Sequence, residues 1–405
     1  MRTEEWDIMI RMKEYETRRD RIFQIITVII VILTTYLYCL KSFDYSDIGW
    51  HAIKAVNQGV IPSLRPGDFD VEFIWHSLTA LTLRIIPGIP IEHAAAITTS
   101  MFNALSIIIV QYYISIDKID NMGIFAGLAF FFLGPVYIPW YNADITSGQG
   151  ISNTWHNPTN LAVKPFAILC FILIVKILDC ISKEEKIDNK IYIWTSILLS
   201  ISCIVKPSWI QIAIPGTGIY IIISAVKKGF DRKTIVDSFK ILAMFVPSTC
   251  IIAMQFFILF LGKEPTTGGG IVIAPFDVWR HSAPNVWISF ILGFAFPIVV
   301  LFCNIYMLKE TEVKYGLCLL LAGYTEYILL AENNEKRYHG NFGWGRALSM
   351  LLVYLVTVRI LLVSTRENRL GSVKEKFIFY LQWVFFFISL WFGMLYYYRL
   401  WVPFS

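Results

Sequence analysis

From Ile22 to Leu40 the chain runs without a charged side chain. A run of about 20 apolar residues is long enough to cross the hydrocarbon core as a helix. Leu351–Val363 is a second apolar run, and short charged clusters separate such runs along the chain. Inside lipid a backbone must satisfy its own hydrogen bonds, which leaves helices or closed barrels. A barrel needs many alternating segments of about ten residues, and the chain shows none. Composition agrees: of 405 residues, 56% are apolar and 16% charged, against about 25% charged in soluble domains. Mean hydropathy is +0.58. The expected fold is all-α, a polytopic transmembrane bundle, with residues 1–405 forming one integral membrane domain.

Eleven spans are expected, at 22–41, 92–115, 122–140, 160–181, 190–205, 208–226, 241–262, 287–307, 317–331, 346–364 and 377–397. Phe73–Ile86 is apolar but short, holds His76 and Arg84, and runs into Pro87–Pro90. Sidedness decides its place. Met1–Arg21 carries six Lys/Arg and reads as a cytoplasmic amphipathic helix, because basic residues favour the cytoplasmic side. If 73–86 does not span, the basic loops Lys183–Lys190, Lys227–Lys240, Lys309–Lys314 and Arg366–Lys376 join it there. Phe73–Ile86 is therefore expected to lie along the outer surface, within a first outer loop of 42–91. The six histidines and nearly all Gly/Pro/Asn-rich loops then fall on the outer face, where the functional site is expected. The cytoplasmic loops lack a Gly-rich phosphate motif, which argues against nucleotide chemistry there. The seven cysteines lie in or beside apolar runs without metal-ligand spacing and read as buried thiols. A net charge of +5 gives no sign of nucleic-acid binding.

The first outer loop opens Asp44-Tyr45-Ser46-Asp47 and reaches His51 four residues on. On a helix Asp47 and His51 share a face, as a general base and its tuning partner would. The same residues also read as a helix start, with Ser46 or Asp47 as N-cap. The second outer loop carries Asp144, then His156 and Asn157 before Pro158. His156 and Asn157 could contact a sugar or phosphate, or simply cap the following span. Cations follow on the same side: Lys164, Lys206 in the tight Lys206-Pro207-Ser208 turn, and Arg337 and Arg346 in a loop that also holds Glu335, His339 and Trp344. A cation at lipid depth is costly unless paired or hydrated, and phosphate is its natural partner. Snorkelling is the plainer account of Lys164 and Arg346. Thr266–Gly270 reads as a lid or a connector.

An acid just after the first span, a His four residues later and an apolar juxtamembrane helix together resemble the GT-C glycosyltransferases, polytopic enzymes that use lipid-phosphate-linked sugars on the non-cytoplasmic side. The resemblance implies that Asp47, or failing it Asp44, activates an acceptor hydroxyl, and that Asp144 occupies a second acidic position. It implies a polyprenyl-phosphate sugar as donor, a glycan, lipid or protein as acceptor, and a place in the cell membrane with the active site outside, in cell-envelope glycan assembly. The chain departs from the oligosaccharyltransferase branch, which pairs acids near Asp144 and carries a large C-terminal soluble domain. No cofactor is expected, and the missing paired acid argues against a divalent metal. Two other readings stand beside this one. A transporter or flippase would need buried ions, for which Glu326 is the candidate, and broken helices in matching halves. A polysaccharide polymerase or acyltransferase would centre on His156 or His339.

Overall fold

The computed structural model describes residues 14–63, 72–142, 148–260, 270–333, 335–367 and 372–402. Asp144, most of Thr266–Gly270 and the first thirteen residues of the expected N-terminal helix lie outside them. The chain is helical almost throughout. In order, the helices are α1 Arg18–Ser42, α2 Asp47–Gln58, α3 Phe73–Ile85, α4 Ile91–Ile114, α5 Asn121–Phe130, α6 Pro158–Ser182, α7 Asn189–Val205, α8 Ser208–Lys228, α9 Arg232–Ala243 and α10 Val246–Phe260. After strand β1 Ile271–Ile273 come α11 Asp277–Ser282, α12 Val286–Gly293, α13 Ala295–Cys303 and α14 Thr311–Leu329. Strand β2 Leu330–Glu332, α15 Gly343–Glu367 and α16 Val373–Arg399 complete the chain. The strands pair antiparallel, with Val272 opposite Ala331, and tie the stretch before α11 to the end of α14. Apart from that small sheet the described elements are helical, in line with the all-α expectation.

Among the described residues six helices are long and apolar enough to cross a membrane: α1, α4, α6, α8, α15 and α16. Counting the bent pairs α9/α10 and α12/α13 as single spans makes eight. Each expected span contains a helix, but α5 and α7 are shorter than a full crossing. Helix α14 starts earlier than expected and carries Glu312, Lys314 and Glu326. Phe73–Ile85 forms a 13-residue helix, too short for a crossing at about 20 residues.

The α5 segment falls short for a stated reason. Pro135 disfavours helical backbone at Gly134, and the chain leaves the helix after Phe130. It then threads between helices. Gly134 N–H donates to Ser389 O at 3.1 Å, and Val136 N–H to Leu292 O at 3.0 Å. This needs contact without side chains: a Cβ on Gly393 would stand 1.7 Å from Phe132 O. The 64° break between α12 and α13 follows from Pro297, which cannot donate to the Gly293 carbonyl one turn back. The Tyr354 hydroxyl donates to that carbonyl instead, at 2.7 Å.

Helix α15 is the axis of the bundle: 83% of its apolar stretch is buried inside the protein, against 22% for α16. It packs on α14, which packs on α8, while α4 lies between α1 and α6. Interhelical polar contacts, which help hold helices together in lipid, join α1 to α4. Gln111 Nε2 donates to Thr27 Oγ1 at 2.8 Å, and Asn103 Nδ2 to Thr35 Oγ1 at 3.0 Å. The cysteines are all free thiols. Cys39, Cys170, Cys203 and Cys318 are buried, Cys180 and Cys303 partly so, and Cys250 is exposed. Cys250 lies on the outer surface of a bent membrane helix, so apolar sequence there marked a lipid-facing position and not a core.

Candidate functional site

Two helix starts meet where α2 and α6 begin. Ser46 caps α2, its hydroxyl accepting from Ile48 N–H at 3.3 Å, and puts Asp47 in the first turn, where the helix dipole favours an anion. Asn157 caps α6, its Oδ1 accepting from Asn160 N–H at 2.9 Å, with Pro158 in the first helical position as the fixed φ of proline favours. The other end of that amide reaches the start of α2: Asn157 Nδ2 donates to Asp47 Oδ2 at 2.9 Å.

The chain of contacts continues inward. Thr159 Oγ lies 2.9 Å from Asn157 Oδ1 and 2.8 Å from Glu72 Oε2, so its one proton serves either oxygen. Lys206 Nζ donates to Thr159 Oγ and to Glu72 Oε1, each at 2.9 Å. Lys206 is placed by local sequence. Residues before proline avoid helical backbone, so α7 ends at Val205 and Lys206 is extended, with φ −164°. Its side chain turns inside and is only 5% exposed, against 19% for Glu72.

The last loop closes over this cation. Lys206 Nζ stands 5.0 Å from the centre of the Trp344 ring, within cation–π range, and the His156 ring lies 5.6 Å from the same ring. Beside them opens a cavity of about 130 Å³ lined by His156, Tyr327, His339, Trp344 and Arg346 among others. Arg346 is buried, its guanidinium 3.8 Å from the Tyr327 ring centre. Gly345 lets α15 come this close to α14, since a Cβ there would stand 2.6 Å from Glu326 Oε2. An acid, two buried cations and a group of aromatic rings thus share one end of the bundle. Such a set suits a ligand with a sugar-like face and an anionic group.

No known protein family matches the chain, and no curated protein matches it. A solved structure does. The crystal structure of the Archaeoglobus fulgidus oligosaccharyltransferase, tethered to an acceptor peptide by a disulfide bond, aligns over 92% of this chain with a TM-score of 0.50 and 10% identity. At that identity the likeness is one of fold, and this chain spans 55% of that enzyme's length. With its apolar helices it makes the protein a multi-pass membrane protein.

In this helical bundle the sequence-named residues divide. Asp47, Asn157, Lys206, Trp344 and His156 form the connected set, and Arg346 and His339 line the adjoining cavity. His51 does not sit in a described contact with Asp47; its Nδ1 lies 2.8 Å from His76 Nε2, in a buried pair between α2 and α3. The shared helix face holds, but Asp47 turns to Asn157 and His51 to α3. Asp44 and Glu335 are exposed. Lys164 is buried rather than snorkelling, its ammonium donating to Thr154 O at 3.2 Å and Asn153 Oδ1 at 3.4 Å. It ties the loop before α6 to that helix. Arg337 is paired with Asp277 at 2.7 Å, and that hydrogen bond raises its already high pKa. The three expected phosphate cations are therefore not alike: Lys206 and Arg346 flank the cavity, while Arg337 is held in a half-exposed ion pair. The expectation that Glu326 alone is a buried ion also fails, because Lys164, Lys206, Arg346 and Asp20 are all buried.

Glu72, the Thr159 hydroxyl and Tyr327 were not singled out by the sequence. Glu72 is the last acid before α3, but its partner lies 134 residues away, and no local spacing reveals that. Asp47 and Glu72 are taken up by Asn157, Thr159 and Lys206. Among the described residues no three His, Cys, Asp or Glu side chains gather as metal ligands.

Proposed function

We propose that this protein is a membrane glycosyltransferase that moves a sugar from a polyprenyl-phosphate-linked donor to an acceptor hydroxyl on the outer face of the cell membrane. The observation that carries this reading is the hydrogen-bonded chain from Asp47 through Asn157 and Thr159 to Lys206, next to the Trp344–Arg346 cavity, in a fold like that of an oligosaccharyltransferase.

Asp47 takes the proton of the acceptor hydroxyl while Asn157 holds the carboxylate in place. The freed oxygen attacks the anomeric carbon, and the bond from that carbon to the phosphate oxygen breaks with inversion. Its electron pair leaves on the phosphate. Charge grows there in the transition state, and a fixed cation in a dry site then contributes most. Lys206 and Arg346 are the cations for that role, Lys206 as a point charge and Arg346 as a fork. Glu72 and Thr159 keep Lys206 positioned between turnovers.

The transporter reading asks for broken helices in corresponding halves. The two bent pairs here follow one another in sequence, and the sharper break is bridged by Tyr354.

The test is transfer by the purified, reconstituted protein from a panel of radiolabelled polyprenyl-phosphate sugars. Asp47→Asn keeps an oxygen for Asn157 but cannot act as base, so the rate should fall at least ~100-fold at normal expression. No turnover of any donor, or an Asp47→Asn rate within a few-fold of wild type, rejects the reading.

A further inference from the structure

A second cavity, larger than the one beside Trp344, is not at the Asp47 end. It lies at the opposite end of the same helices, where α4 and α6 finish and α14 begins, and measures about 400 Å³. That is the size of a small-molecule pocket, roughly 300–1,000 Å³. At 1.5 Å per residue, Asp179 lies about 30 Å along α6 from Thr159, and Arg359 about 22 Å along α15 from Trp344. The cavity is therefore about one hydrocarbon thickness from the proposed transfer site.

Its charges are mixed and only partly satisfied. Arg359 contacts Glu312 at 3.5 Å, longer than a good charge-assisted hydrogen bond at about 2.8 Å. Its guanidinium stacks over the Tyr113 ring at 4.8 Å. Glu312 meanwhile accepts the Tyr113 hydroxyl at 2.7 Å. A guanidinium has five donors, and this contact uses few of them. Among the described residues the Glu310 carboxylate, on the cavity wall, has no hydrogen bond or ion pair. Asp179 is already engaged by Thr311 and Lys183. Ile172 and Val175 supply an apolar flank. A half-buried guanidinium with spare donors asks for an oxyanion, and an acid across the same cavity asks for a cation. An apolar flank asks for a chain.

We infer that this cavity binds the headgroup of a zwitterionic phospholipid, with the phosphodiester on Arg359, the ammonium against Glu310 and the acyl chains along Ile172 and Val175. The inference does not depend on the proposed transfer reaction, and its readout is binding alone. Net neutrality sets the class: the acids Asp179, Glu310 and Glu312 are balanced in the lining by Lys176, Lys183 and Arg359, so a headgroup that carries both charges keeps the balance and an anionic one does not.

Native mass spectrometry of the detergent-solubilised full chain measures retention of phosphatidylethanolamine and phosphatidylglycerol in competition, with inorganic phosphate as a third arm. Phosphatidylethanolamine should be held about tenfold more tightly than phosphatidylglycerol, the scale of one hydrogen bond to a charged group. Arg359→Gln should lose most retention of both. Arg359→Lys, which keeps the charge needed beside Glu312, should fold and still bind more weakly because the fork is gone. Glu310→Gln should keep phosphate binding and erase the preference between the two lipids. Equal retention of the two lipids by the wild type, or no loss in either Arg359 variant, overturns the inference. Displacement of the lipid by millimolar inorganic phosphate would also overturn it, assigning the site to a free oxyanion.

Discussion

The Lys206–Glu72 pair makes the strongest quantitative demand of the structure. The ammonium and carboxylate are 2.9 Å apart, and their side chains are 5% and 19% exposed. At an effective dielectric near 20 the attraction is about 6 kcal/mol before desolvation, and desolvation of each ion takes back several kcal/mol. The net worth of the pair is therefore small, but breaking it is not. Glu72→Gln strands Lys206, which keeps only Thr159 and the Trp344 face, and should cost about 3–5 kcal/mol. Lys206→Met takes the lysine from Glu72, which keeps Thr159 and is the more exposed partner, so the cost should be lower, about 2–4 kcal/mol. The double variant leaves no stranded charge and should be no less stable than the worse single variant. The coupling energy is then at least about 2 kcal/mol. Equilibrium unfolding by SDS titration in mixed micelles, followed by tryptophan fluorescence, measures all four corners. Additivity within about 0.5 kcal/mol would mean the two charges do not interact as described. The double variant also separates roles: it should fold, yet bind donor poorly, because Lys206 is gone.

Single cysteines at Asp44 and Glu335 should react with an impermeant maleimide in intact cells, and at Lys186, Lys233 and Ser372 they should not; reaction at Lys186 would reverse the sidedness. Tyr354→Phe strands the Gly293 carbonyl at the α12/α13 break and should cost about 1–3 kcal/mol in the same titration, while an unchanged midpoint would show that Pro297 leaves nothing to satisfy. Asn157→Asp keeps the capping oxygen but removes the donor and puts a like charge beside Asp47, which raises the pKa of a carboxyl. If Asp47 is the base, the acid limb of the transfer rate should move to higher pH by about one unit or more, and an unmoved limb would exclude it.

How much of this was legible depended on the range of each interaction. The spans follow from apolar run length, and the turn at Lys206 follows from one proline. The surface placement of Phe73–Ile86 follows from its length and from the basic loops that a crossing would invert. The failures are contacts set by distant sequence. Nothing near Phe130 says that the chain will leave its helix to lie against α16; only Gly134-Pro135 hints at it, and Gly393, which permits it, lies far downstream. The same holds for Lys206, whose acid is Glu72, and for His51, whose partner is on α3.

Asn157 shows why a choice between a structural and a functional reading can be ill-posed. An asparagine before a proline reads as a helix cap, and it is one: Oδ1 receives the Asn160 N–H. But a primary amide has two ends, and capping uses only the acceptor. Once the cap fixes the side chain, the donor end has one direction left, and it meets Asp47. The cap is what gives the carboxylate contact its precision. A side chain locked by a helix terminus holds a reacting group more firmly than one on a free loop. The same reasoning applies to Lys206, where the proline that ends α7 also turns the ammonium inward. At both positions the residue that terminates a helix carries the polar group, so the ends of the spans supply the site.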